Sequence, residues 1–181
     1  MPFLGVQIET VLLEYCELGS THIKEICKIL NQSNCKLRNL NISCNNYYEE
    51  EEELDQSILS KSLNKLETLT ADKAVFDKNF FTELNSRSNP RKLGFDTIYT
   101  DDIPTDILVK SLNKLEELIL YGWKSEKQQS KSNVEAFLSE IVTGDTKIKI
   151  LHLKGNFDWI DSHILTKVES KVKVKKCLSY Y

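Results

Sequence analysis

Lys114–Trp123 reads KLEELILYGW, in which Leu115, Leu118 and Leu120 are spaced L-x-x-L-x-L and Trp123 follows three residues later. A near copy, SLNKLETL, occupies Ser62–Leu69, and its SLNKLE hexapeptide returns at Ser111–Glu116, 49 residues further on. That offset is two periods of about 24.5 residues, which marks a repeat architecture. The L-x-x-L-x-L-x-x-[N/C] frame can be laid down six times. It catches Ile8, Val11, Leu13 and Cys16; Leu37, Leu40, Ile42 and Asn45; and Leu66, Leu69, Ala71 and Ala74. It then catches Pro90, Leu93, Phe95 and Ile98; Leu115, Leu118, Leu120 and Trp123; and Ile148, Leu151, Leu153 and Asn156. Val172 and Val174 predict a terminal strand, with Cys177 in its last position.

Alternation within each frame predicts a short strand, so Leu118 and Leu120 point one way and Ile119 the other. A helical stripe follows each strand. The stripes are Ile23, Ile26, Cys27 and Leu30; Leu54, Ile58, Leu59 and Leu63; and Phe80, Phe81 and Leu84. Further on they are Ile107, Leu108 and Leu112; Val134, Phe137, Leu138 and Ile141; and Ile164, Leu165 and Val168. Ser20 or Thr21 is the expected cap of the first helix, and Ser132 or Asn133 that of the fifth. Pro104 suits a first helical turn, and Gly144 stops the fifth helix. The polar stretch Lys124–Asn133 reads as a loop.

VLLEYCEL followed by HIKEICKIL, then CKLRNLNISCNN, resembles the leucine-rich repeat family, in its ribonuclease-inhibitor-like subtype. The resemblance covers nearly the whole chain as a pattern and is weakest in units three and four. It implies an α/β solenoid, or horseshoe, with a parallel sheet on the concave face and helices on the convex face. Residues 1–181 would be one domain of about six repeats plus a C-terminal capping strand. The family's Asn or Cys ladder residue points inward, a role that falls to Cys16, Asn45, Asn156 and Cys177. Ala74, Ile98 and Trp123 depart from that pattern.

The resemblance also implies non-catalytic binding of a protein partner. Two alternatives accompany it: the substrate-recognition fragment of an F-box-type ubiquitin ligase, or a regulator of another enzyme, of GTPase-activating or inhibitor type.

The remaining composition narrows the partner. The 181 residues are 40% hydrophobic and 28% charged, which places the chain in the globular class. The net charge of −3 argues against nucleic acid. The charge is uneven: residues 1–90 carry 9 basic and 14 acidic side chains, residues 91–181 carry 15 and 13. No apolar run reaches the roughly 18 to 20 residues a bilayer requires, so no membrane association is expected. The start, MPFLGVQIETVLL, lacks a basic leader and meets Glu9 early. Five cysteines without a leader read as reduced thiols, giving a cytoplasmic or nuclear expectation for a monomer. Met1–Gln7 is too short for a full cap, which leaves truncation open. Lys167, Lys171, Lys173, Lys175 and Lys176 against a lone Glu169 read as an edge that blocks further sheet addition.

No HExxH, GxSxG or P-loop sequence occurs, and neither an enzyme nor a cofactor is expected. Cys16, Cys27, Cys35 and Cys44 lie 11, 8 and 9 residues apart without a C-x-x-C pair, so no metal site is expected. His22 and His163 fall at helix starts and read as solvent-facing. The five glutamates Glu49–Glu53 suit a helix N-terminus or a basic partner. The stronger site lies between the buried leucines, where rows of side chains face outward from the strands. One row reads Thr10, Asn39, Thr68, Lys92, Glu117, Ile150, Lys171; the next reads Leu12, Asn41, Thr70, Gly94, Ile119, His152, Lys173. The third reads Glu14, Ser43, Asp72, Asp96, Tyr121, Lys154, Lys175. Ile119, Tyr121, Ile150 and His152 form an apolar and aromatic cluster where Asp72 and Asp96 give way to Lys154. An aromatic within a charged surround is how interface hot spots are built.

Overall fold

A computed structural model describes residues 8–32, 35–43, 63–71, 76, 78–86, 89–96, 103–122, 128–144 and 146–177. The order is β1 (Thr10–Leu12), α1 (Ser20–Asn31), β2 (Asn39–Asn41), β3 (Thr68–Thr70), α2 (Lys78–Ser86) and β4 (Lys92–Asp96). There follow α3 (Thr105–Leu112), β5 (Glu117–Gly122), α4 (Gln128–Thr143), β6 (Ile150–Gly155), α5 (Ser162–Glu169) and β7 (Lys173–Cys177). The second expected helix, the Glu49–Glu53 run, Cys44 and the ladder positions 45, 74, 98 and 123 lie outside the described residues.

The seven strands form one sheet in chain order, every neighbouring pair parallel. The expected leucines stand opposite one another: Val11 beside Leu40, then Leu69, Leu93, Leu118 and Leu151. From Leu40 onward each is at most 1% exposed, and they share one core with the helix stripes. Stacking of neighbouring units buries one face of the sheet in this way. None of the described helices is long and apolar enough to cross a membrane.

The poorer fourth unit is rescued by aromatic packing. Phe95 of β4 meets Phe81 of α2 edge to face at 5.5 Å, and Phe76 stacks on Phe80 at 4.2 Å. Such pairs add to the burial of their area.

The repeated SLNKLE phrase has a mechanical meaning. Lys65 Nζ donates to the carbonyls of Leu30 at 2.8 Å and Gln32 at 2.7 Å, where α1 ends. Lys114 Nζ donates to the carbonyl of Asn85, at the end of α2. Each copy sends a cation to the C-terminus of a helix one unit back, which presents orphan carbonyls and the negative end of the dipole.

Three local expectations are corrected. First, α4 starts at Gln128, so 128–133 are helical rather than loop. Asn133 is fully buried inside that helix rather than capping it. Its Nδ2 donates to the Ile103 carbonyl at 3.3 Å, and its Oδ1 accepts from the Thr105 hydroxyl. The neighbouring unit's helix start therefore uses the amide. Second, α1 is capped by the extended backbone of Gly19, whose N–H is accepted by His22 Nδ1 at 3.1 Å.

Third, the described ladder residues do not point inward. Cys16, Cys177 and Asn156 are exposed, and Asn156 Oδ1 accepts the Asp158 N–H at 3.0 Å within its own turn. The ring of Phe157, the next residue, is buried instead. It lies so close to Gly122 that a Cβ there would come within 2.5 Å of it. Gly155, at φ +105°, lies against the same residue, and its Cβ would stand 2.1 Å from the Gly122 carbonyl oxygen. Only glycine fits either position.

Candidate protein-binding face

The face of the sheet opposite the core carries the outward rows. In β1–β3 the row is neutral: Asn39 Nδ2 donates to Thr10 Oγ1 at 3.2 Å, and Thr68 Oγ1 donates to Asn39 Oδ1 at 2.9 Å. Beside it, Asn41 donates to Glu14 and accepts the Ser43 hydroxyl at 2.7 Å. Cross-strand pairs of this kind are the unit of sheet stabilisation.

In β4–β6 charge replaces amide. Glu117 takes Lys92 Nζ at 2.8 Å from one side and His152 Nε2 at 2.8 Å from the other, both on the same oxygen, Oε1. One residue earlier, Glu116 is held between Arg91 and Lys149, each at 2.9 Å. The Lys149 hydrogen bond is the main reason that the Glu116 carboxyl titrates below its ordinary value. Burial raises the Glu117 carboxyl, but the Lys92 hydrogen bond and charge, aided by His152, carry it below its ordinary value. Burial pushes the His152 ring below its ordinary value, and Glu117 only partly restores it.

Of the residues expected at the site, the sheet brings five together. Register sets Ile119 beside His152, Tyr121 beside Lys154 and Glu117 beside Ile150. Tyr121, Ile150, His152 and Lys154 are half-buried. Lys154 Nζ stands 5.2 Å from the centroid of the Tyr121 ring, within reach of a cation–π attraction. Ile119 is corrected: it lies on the expected face but is only 5% exposed. Gly94 beside it has no side chain, and Thr70, 4% exposed, leans in from the other side. A Cβ on Gly94 would come within 2.7 Å of Thr70 and 3.3 Å of Ile119. The two side chains close over the glycine, so Ile119 floors the patch rather than projecting from it. Asp96 occupies the β4 position next to Tyr121, while Asp72 and the Asp96 side chain lie outside the described residues.

The terminal strand is also corrected. Ile150 pairs with Lys173, His152 with Lys175 and Lys154 with Cys177, two residues along from the expected Lys171, Lys173 and Lys175. Glu117 and Lys92 were legible as members of one row, yet their part in fixing His152 emerges only when the strands are side by side. Among the described residues no group of three or more His, Cys, Asp or Glu is placed to hold a metal ion.

The face can therefore offer an aromatic ring under a cation, an aliphatic neighbour and a fixed imidazole, grading from the neutral Thr10–Asn39–Thr68 row of β1–β3 to lysines at β7. No family model matches the chain, and no curated protein and no solved structure matches it.

Proposed function

We propose that this chain is a leucine-rich-repeat solenoid of the ribonuclease-inhibitor-like kind, whose concave sheet face binds a protein partner without catalysing a reaction. Seven parallel strands in chain order, one for each unit, support the horseshoe reading. The observation that carries the binding role is the continuous patch of Tyr121, Ile150, His152 and Lys154 on β5 and β6. Its imidazole is held by Glu117, itself paired with Lys92, which favours recognition with little rearrangement.

The test compares immobilised wild-type chain with Tyr121→Ala in affinity capture, with thermal stability measured alongside. Tyr121 is half-buried on an outer face, so the variant should melt with the wild type and lose the captured protein. Undiminished capture, or an unfolded variant, sinks the reading.

A further inference from the structure

β7 is the outermost described strand of the sheet, and no described element pairs with its far side. In a parallel ladder each residue turns its N–H and C=O to the same neighbour, and the next residue turns both to the other side. The Lys173 N–H donates to the Lys149 carbonyl at 3.0 Å. Lys173 and, by alternation, Lys175 therefore turn their main chains to β6, leaving those of Val174 and Lys176 facing outward. Side chains alternate as well: exposed Lys173 and Lys175 stand on the open face, and half-buried Val174 on the core face. Lys176 is engaged by Glu169 at 2.7 Å, whereas Lys173 and Lys175 form no ion pair among the described residues.

We propose that this edge is a second docking site, which accepts an extended acidic segment of a partner protein as an eighth strand. Its carboxylates would sit at alternate positions. Residues i and i+2 of a strand are about 6.7 Å apart, so acidic side chains at that interval meet Lys173 and Lys175 as direct cross-strand pairs. The residue between them falls beside Val174 and should be apolar. The outward main chain supplies affinity and the lysines supply selection.

Charge and register exclude a second copy of this chain. β7 against β7 would set lysine against lysine. β1 in sheet register would put Leu12 beside Lys175 and Leu13 beside Lys176. Lysines keep neutral and basic strands from an edge, but they admit an acidic one. A nucleic acid would meet the lysines but offers no main-chain ladder to match the edge. This site lies beyond the concave-face reading and is tested apart from it.

The probe is a fluorescein-labelled peptide, Gly-Glu-Val-Glu-Ser-Glu-Gly, titrated with the full chain and read by fluorescence anisotropy. Saturable binding is expected, weakening with salt. It should fall about tenfold or more in the double variant Lys173→Glu/Lys175→Glu, whose fold is checked by circular dichroism. It should vanish when the peptide amides that face β7 are N-methylated, an arm that needs no protein variant. Equal binding by the methylated peptide, equal binding by the folded double variant, or no saturable binding overturns the proposal. So does equally tight binding of an oligouridylate of the same charge. Loss of peptide binding with Tyr121-dependent capture intact would separate the two surfaces.

Discussion

His152 stands between two opposed demands. Burial disfavours its charged form and, with Lys175 and Lys92 nearby, outweighs the pull of Glu117. Near neutral pH the ring is uncharged, and because the Glu117 carboxylate only accepts, Nε2 carries the proton. His152 thus titrates below 6.5, and Glu117 below 4.5. In each window the unfolded chain binds more protons than the folded one, so stability falls as the pH falls. The loss begins as pH drops through 6.5 for His152 and through 4.5 for Glu117. By NMR titration the His152 midpoint should lie below 6.5 and move lower still in Glu117→Gln, which removes the one partner raising it. An upward move would contradict this account. The position of His152 was legible from its alternation with Leu151 and Leu153. The burial of Ile119 was not, because it depends on a missing side chain at Gly94, one strand away.

At the scale of elements, the two lysines of the repeated hexapeptide should differ in worth. Half-buried Lys65 meets two carbonyls at the end of α1, whereas exposed Lys114 meets one at the end of α2. Lys65→Met should cost about 1 to 2 kcal/mol by urea denaturation, and Lys114→Met less. Equal costs would mean that the bonds to α1 contribute nothing beyond surface charge. Elements were legible where a pattern had one solution. The strand registers from β1 to β6 followed from their leucines. β7 did not, because KVKVKK alternates uniformly and slides by two residues without changing which face is charged. The start of α4 was misplaced because Ser132-Asn133 before an apolar run reads as a cap. The partner of Asn133 lies at Ile103 and Thr105, in the preceding unit, where linear spacing cannot point.

Across the whole molecule, each unit packs chiefly on its neighbours, so local stability should follow the quality of each junction. β5 and β6 each run six residues and pair along their full length, whereas β1 has three, with Thr10 and Leu12 exposed. Exposed Ile8, Leu12, Tyr15 and Ile29 all belong to the first unit. Amide hydrogen exchange should therefore be slowest in β5 and β6 and fastest in β1. Uniform protection would instead indicate one cooperative unit. The architecture was the most legible level, because a leucine every second residue and a helical stripe after it recur even where single units decay. The intervals between paired strands are 29, 29, 24, 25, 33 and 23 residues, yet no register breaks. Connection length and sheet register are thus decoupled within this chain. A loop can lengthen or shorten without changing which residues meet across the sheet, so the spacer and the surface are separate degrees of freedom.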